Sequence, residues 1–170
     1  MIKKYLFIFL ISFIFIIPSY SARDGNTEKK STSNLGVKKL DNYKFAIRTI
    51  NKAKKLEKKG KTNKAIKLYE KALKYLLKAN AETPADPDIL NYLGFSNHKL
   101  GNLENAEIYY LVGLEVNPTH IGINEYLGEL YIATNRISMA KERLEILKDC
   151  NCEEYSNLKE IIGKIKKSKY

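Results

Sequence analysis

The sequence has 170 residues and a formal net charge of +11, which is enough chain for one compact domain or one short array of repeats. Its cations are 26 Lys and only 4 Arg, whereas Arg is the residue favoured for bidentate contacts with phosphates and bases. We therefore expect no nucleic-acid partner, and we expect most of the lysines to cover solvated helix faces.

The chain begins with the layout of a secretory signal peptide. Two lysines precede an apolar run over residues 5–17, and small residues follow Pro18. The run is 13 residues long, well below the roughly 20 that cross a bilayer comfortably as a helix. We expect a signal peptide over residues 1–21, cleaved after Ser21 or Ala22, and a periplasmic or secreted product. An uncleaved anchor in the inner membrane is the alternative.

The next segment, residues 22–41, is polar and rich in Gly, Asn, Ser and Thr, without an apolar period. This composition predicts a flexible linker. From Asn42 onward apolar residues recur at spacings of three and four, which indicates helices. Gly60 is a stop signal, and Asp86 followed by Pro87 is typical of a helix start. We expect an all-α domain over residues 42–170.

Charge is unevenly distributed along the helical part. Residues 38–78 contain 15 Lys or Arg and 3 Asp or Glu, whereas residues 79–165 contain 7 and 14. The mature protein should therefore have a basic first part and an acidic second part. A weak contact with an anionic membrane through the Lys-rich first part is one consequence that this distribution allows.

The helical part repeats itself at an offset of 34 residues. Small or helix-ending residues recur in matched pairs: Gly94 with Gly128, Ala106 with Ala140, and Gly101 with Asn135. Gly and Asn best tolerate the left-handed conformation that ends a helix, so the last match has a physical basis. An earlier copy is offset by 41 residues. The extra seven residues are two helical turns, which predicts a longer second helix in the first copy, ending near Ala81.

The middle copy carries a motif of Leu90-x-x-Leu93-Gly94, then Gly101, Ala106-x-x-x-Tyr110 and Pro118. This motif resembles the tetratricopeptide repeat (TPR) family. The third copy and the tail are similar, more narrowly, to exported proteobacterial TPR proteins. The resemblance implies an α-solenoid of about three helix-turn-helix repeats and a C-terminal capping helix. These elements would cover residues 46–79, 87–120 and 121–154 for the repeats, and 153–167 for the cap.

Stacked helix pairs form a concave surface lined by the first helix of each pair. The resemblance therefore implies a groove that binds a partner protein or peptide. The candidate groove residues are Lys54, Lys58, Asn91, Phe95, His98, Lys99, Glu125 and Glu129. Such a groove would be basic at one end and acidic at the other, with Phe95 and His98 at its centre. In the alternative interpretation, Phe95 packs in the core and His98 lies on the surface.

Sequence motifs of catalysis are missing from the chain. It has no nucleophile elbow, Gly-rich phosphate loop or HExxH motif. Its second histidine, His120, is expected to cap or pack at the start of a helix. We therefore expect an adaptor without cofactor or metal, rather than an enzyme.

Cys150 and Cys152 are the two cysteines of the chain. In an oxidising compartment an even count favours a disulfide. Only one residue separates the two, so the bridge would close a small ring and add little stability. As thiolates the pair could instead bind a soft metal such as Cu(I). A periplasmic metal- or redox-linked protein is therefore the alternative function.

Overall fold

A computed structural model of the protein describes the backbone of residues 31–168. This part of the chain forms seven helices and no strand, in agreement with the predicted all-α class. The helices are α1 (Ser31–Glu57), α2 (Thr62–Glu82), α3 (Pro87–Lys99), α4 (Leu103–Val116), α5 (Ile121–Ala133), α6 (Ile137–Ile146) and α7 (Glu153–Ser168). The expected signal peptide over residues 1–21 lies outside the described residues.

Within the described part of the chain, no helix is both long enough and apolar enough to cross a bilayer.

Helix α1 begins earlier than the sequence predicted. It starts at Ser31, inside the segment 22–41 that was expected to be a flexible linker, so helix replaces linker over residues 31–41. Residues 22–30 lie outside the described part. The physical reason is that extending a helix costs far less than nucleating one, so the periodic segment after Asn42 can propagate backwards through polar residues.

The described helices stack as three antiparallel pairs, α1 with α2, α3 with α4 and α5 with α6. Each pair packs against the next, and the first helices form a row in which α1 contacts α3 and α3 contacts α5. Helix α7 continues the row, because it packs on both α5 and α6. It therefore takes the position that the first helix of a fourth pair would occupy.

Turns and caps at the helix ends follow the sequence signals. Gly60, Gly101 and Asn135 all have positive φ angles, of 70°, 81° and 59°, which confirms the left-handed ends inferred from the repeat. The Asp86 carboxylate accepts hydrogen bonds from the backbone N–H groups of Asp88 and Ile89, at 3.1 and 3.3 Å. This confirms Asp86 as the N-cap of α3.

The difference between the two repeat offsets is also visible in the helices. Helix α2 has 21 residues and α4 has 14, so the first pair has the two extra turns that the offset of 41 predicted. One continuous stripe of α2 is buried along its whole length: Ala65, Tyr69, Ala72, Leu76 and Ala79.

Small residues allow the helices of a pair to come close. A Cβ at Gly94 would overlap with the ring of Tyr110, which is fully buried. Ala106 is equally buried beside it. The buried side chains form two clusters, one over α1–α3 and one over α4–α7, and Tyr126 packs against both.

Candidate binding groove

A cavity of about 550 Å³ lies where the first-helix row of α1, α3 and α5 meets α7. We call it the groove pocket. Its lining residues come from all four of these helices: Lys54, Glu57, Lys58, Phe95, Lys99, Glu125, Tyr126, Glu129, Glu153, Glu154 and Asn157. The structure thus brings together six of the eight residues that the sequence placed in a groove.

An aromatic cluster forms the floor of the groove pocket. Phe95 is only 4% exposed, and its ring centroid lies 5.9 Å from that of Tyr69 and 4.8 Å from that of Tyr126. Phe95 therefore belongs to the core and also lines the groove pocket.

The basic wall of the groove pocket comprises Lys54, Lys58 and Lys99. The Lys54 ammonium lies 4.4 Å from the Phe95 ring centroid and donates a 3.0 Å hydrogen bond to the Tyr126 hydroxyl. The Lys99 ammonium lies 5.7 Å from the Phe95 centroid and pairs with Glu57 at 3.1 Å. Two cations thus rest on the negative face of one ring, while Lys58 is exposed.

Glu57 fixes the position of the basic wall. Its carboxylate accepts a 2.8 Å hydrogen bond from the Tyr69 hydroxyl and a 3.1 Å bond from the Lys99 ammonium. Burial on its own would raise the pKa of Glu57, but these two hydrogen bonds and the nearby lysines outweigh it and lower the pKa. The charged form is therefore held in place between Tyr69 and Lys99.

The acidic wall comprises Glu125 and Glu129 of α5 and Glu153 and Glu154 of α7. Glu125 is 6% exposed and accepts a 3.0 Å hydrogen bond from the Asn157 amide. Burial raises the pKa of Glu125, and Glu154 adds to this effect. Burial and the neighbouring Glu125 charge likewise raise the pKa of Glu129. The fold therefore disfavours the charged form of the two carboxylates that α5 contributes to this wall.

His98 does not line the groove pocket, although it was predicted at its centre. It is half-buried, and burial together with Lys99 lowers its pKa. Three residues of helix turn the chain by about 300° and four by about 400°. His98 and Lys99 therefore project on opposite sides of Phe95, and it is Lys99 that faces the cavity.

Asn91 is the second predicted groove residue that lies elsewhere. It is 6% exposed, and its amide packs against Gly122 at the start of α5. Its Oδ1 atom has no hydrogen-bond partner among the described residues. Asn91 is thus a buried contact between α3 and α5. It does not reach the groove pocket because α3 packs directly against the start of α5 at this position.

Sequence reasoning missed Glu57, Tyr126 and the three pocket residues of α7. Helix α7 was interpreted as a cap with a solvated polar face, but its first turn points into the row of first helices. The signal that could have revealed this was the position of α7 in the repeat order. A helix after three complete pairs takes the place of a fourth first helix, and Glu153 and Glu154 stand at its start.

His120 lies outside the groove pocket and acts at a helix start. Its Nδ1 atom accepts a 3.1 Å hydrogen bond from the Ile123 backbone N–H, and its Nε2 atom lies 3.2 Å from an Asp88 oxygen. This confirms the prediction that His120 caps a helix. The contact with Asp88 also joins the starts of α5 and α3.

Cys150 and Cys152 are joined by a disulfide in the turn between α6 and α7, with their Cα atoms 5.2 Å apart. In this oxidised form neither cysteine offers a thiolate to a metal. Within the described residues no group of three or more His, Cys, Asp or Glu side chains is arranged to hold a metal ion.

The helix stacking of the chain is similar to that of known solved structures. The translocator chaperone SycD of the Yersinia enterocolitica type III secretion system aligns with a TM-score of 0.56 and 16% identity. The alignment covers 83% of this chain and 95% of SycD. The first TPR domain of human RPAP3 aligns with a TM-score of 0.50 and 22% identity, over 73% of this chain and 94% of that domain. The chain has the TPR fold.

A family model described as the MIT (microtubule interacting and transport) domain matches residues 43–93. This segment runs from α1 through α2 into α3 and covers less than a third of the chain. No curated protein matches the chain by sequence.

Proposed function

We propose that the protein is an exported adaptor that binds a segment of a partner protein in the groove pocket. The observation that carries this proposal is the pocket itself, a concave site at the row of first helices with an aromatic floor and two walls of opposite charge. Its volume of about 550 Å³ lies in the range of ligand sites that accept a few side chains. A peptide segment fits this scale, whereas a folded domain does not.

The groove chemistry supports binding rather than catalysis. Aromatic rings with Lys ammonium groups over their faces are typical of recognition surfaces. The opposite walls would favour a segment with its own charge asymmetry and would set its direction. SycD, which shares the TPR fold, is a translocator chaperone, so a protein of this fold can act as a chaperone of another protein.

Export is supported by two independent features of the chain. The first residues have the order of a signal peptide, with two lysines, an apolar run and small residues. The disulfide between Cys150 and Cys152 suits an oxidising compartment such as the periplasm. The intact mass of the protein isolated from cells tests this part. A mass lacking 21 or 22 residues is expected, whereas a full-length, membrane-bound protein would indicate an anchor.

Site-specific photo-crosslinking in the producing cells tests the adaptor role. A photoreactive amino acid replaces Lys58 or Glu154, at opposite walls of the groove pocket, or Lys55 or Lys59 as controls. Lys55 lies on α1 and Lys59 in the turn that follows it, and both are exposed but do not line the pocket. We expect one discrete adduct from the two pocket positions and none from the controls. The same adducts from all four positions, or none at all, would refute binding in the groove.

A charge-reversal pair then links the adduct to the chemistry of the basic wall. Lys54→Glu with Lys58→Glu should abolish the adduct formed from position 154, because the ammonium group over Phe95 and a second one in the pocket lining are replaced by carboxylates. The matched pair Lys55→Glu with Lys59→Glu changes the net charge equally and should leave the adduct unchanged. Equal loss in both pairs would indicate that net charge alone attracts the partner.

A further inference from the structure

We infer that the acidic wall of the groove pocket is a subsite for a Lys or Arg side chain of the bound peptide segment. This inference rests on the proposed function and adds the chemistry of one ligand residue to it. The wall comprises Glu125, Glu129, Glu153 and Glu154, and it faces the basic wall across the aromatic floor.

The protein's own cations offset the charge of this wall only in part, because Lys54 and Lys99 act on it from the basic wall without pairing with its carboxylates. Among the described residues, Glu129, Glu153 and Glu154 take part in none of the ion pairs or hydrogen bonds between side chains. Glu125 is bonded only by the neutral Asn157 amide. Across the pocket, Lys99 is paired with Glu57, and Lys54 is bonded to the Tyr126 hydroxyl over the Phe95 ring. Lys99 is therefore paired within the basic wall, and no cation of the described residues forms an ion pair with the acidic wall.

The helix dipole favours the two carboxylates of α7 but not the two carboxylates of α5. Glu153 and Glu154 stand in the first turn of α7, where the helix dipole stabilises negative charge. Glu125 and Glu129 have no such support, because they lie in the body of α5, one turn apart. Like charges at this spacing destabilise a helix. Lys54 and Lys99 compensate these two carboxylates only in part, so a further cation at the pocket would stabilise them.

The burial of Glu125 raises the free-energy cost of its incomplete charge compensation. Glu125 is 6% exposed, and a carboxylate withdrawn from water without a cation costs free energy. A guanidinium or ammonium group entering the pocket would return that counter-charge. Its apolar stem would lie along Tyr126, whose ring packs beside Phe95 in the floor between the two walls. An anionic or apolar side chain would supply no counter-charge to the four carboxylates.

Selection from a random peptide library displayed on phage, using the purified full-length mature protein, tests this inference. Three forms are used: the native chain, Glu125→Gln with Glu129→Gln, and the control Glu104→Gln with Glu115→Gln. The control carboxylates are exposed on α4, so both variants lose two charges. Gln keeps the size of Glu and can still accept the Asn157 hydrogen bond, and circular dichroism checks that each form is folded.

We expect the native chain and the control to enrich peptides with Lys or Arg at one fixed position. The affinity of the leading synthetic peptide should fall about tenfold or more in the Glu125/Glu129 variant, since hydrogen bonds to charged groups contribute about 1.5–3 kcal/mol. Replacing the fixed Lys or Arg of the peptide with Gln should weaken binding to the native chain by a similar factor. It should have little effect on binding to the variant, because the two changes remove the same contact.

Two other results would overturn the inference in distinguishable ways. Peptides that bind the native chain, lose affinity in the Lys54→Glu/Lys58→Glu variant, yet show no preference for a cation would refute the acidic subsite. They would leave the proposed function intact. Failure to enrich any peptide above the background of uncoated wells would refute the proposed peptide-binding function and the subsite with it.

Discussion

At the scale of single residues, the closest helix approach in the middle repeat depends on Gly94. The Tyr110 ring fills the space that a side chain at position 94 would need, and that ring is fully buried. We predict that Gly94→Ala lowers the free energy of unfolding by about 1–3 kcal/mol, the usual cost of overpacking a core. Urea denaturation followed by circular dichroism measures this change.

Gly163→Ala is the matched control for this prediction. Gly163 also lies within a helix, α7, but a Cβ there would meet nothing within 4 Å. The higher helix propensity of Ala should stabilise the protein by up to about 1 kcal/mol. A loss of stability from Gly163→Ala as large as that from Gly94→Ala would show that crowding by Tyr110 is not the cause.

The half-buried carboxylate of Glu129 predicts a pH dependence of stability. Burial and Glu125 raise its pKa, and Lys99 and Lys54 offset this only in part. The native state therefore binds a proton more readily than the unfolded chain, and stability falls as pH rises through the raised pKa. Glu129→Gln should increase the free energy of unfolding at pH 7. This gain should disappear below pH 4.5, the ordinary pKa of Glu.

Denaturant titrations of the native chain and Glu129→Gln over a series of pH values measure this effect. Glu104→Gln removes an exposed carboxylate on α4 and serves as control, with a small effect throughout the series. A Glu129→Gln variant that is less stable than the native chain at pH 7 would contradict the prediction, because it would mean that the charged carboxylate is stabilised by its surroundings.

At the scale of helices, the start of α3 depends on the Asp86 cap. Its carboxylate satisfies two backbone N–H groups of the first turn, which have no partner within the helix. Asp86→Ala should therefore destabilise the protein by about 1 kcal/mol, whereas Asp86→Asn should retain most of the stability. Thermal unfolding of the two variants checks this. Equal losses from Ala and Asn would mean that the charge of Asp86, not its cap, is responsible.

The sequence predicted most helices because their signals are local. Gly60, Gly101 and Asn135 end helices through their own backbone preferences, and Asp86 begins one through its own side chain. The start of α1 was predicted too late because polar residues before Asn42 have no apolar period, although a growing helix does not require one. Helix boundaries of this kind depend on cooperativity, which a residue pattern does not record.

The groove pocket was only partly predictable because it depends on how helices are rotated. Spacing along α1, α3 and α5 brought Lys54, Phe95 and Glu125 to one side. It could not decide between His98 and Lys99, which are neighbours on α3 and face different ways. Nor could it place the first turn of α7 in the pocket, since that position is set by packing of Leu158 against Gly128. Long-range contacts of this type leave no periodic signal.

At the scale of the whole molecule, Tyr126 connects the two halves of the core. It packs against the cluster of α1–α3 and against that of α4–α7, and its hydroxyl accepts a hydrogen bond from Lys54. In a repeat array, cooperative unfolding depends on such contacts between neighbours. We predict that Tyr126→Ala allows α1–α2 and α5–α7 to unfold separately.

Hydrogen exchange with mass spectrometry would detect this separation as two different opening free energies. Tyr126→Phe keeps the ring between the two clusters and loses only the hydroxyl, so it should remain a single cooperative unit with a smaller loss of stability. Separate unfolding in Tyr126→Phe as well would assign the coupling to the Lys54 hydrogen bond and not to packing of the ring.

The extra length of α2 restricts how the array can vary by insertion. Seven residues advance an α-helix by almost two complete turns, so the buried stripe from Ala65 to Ala79 is displaced by only about 20°. An insertion of two or five residues would rotate everything after it by about 140–200° and direct the apolar stripe away from α1. Chain length in this helix can therefore change only in steps close to whole turns. Such a step moves the next pair, which starts at Pro87, along the axis of α2 without rotating it.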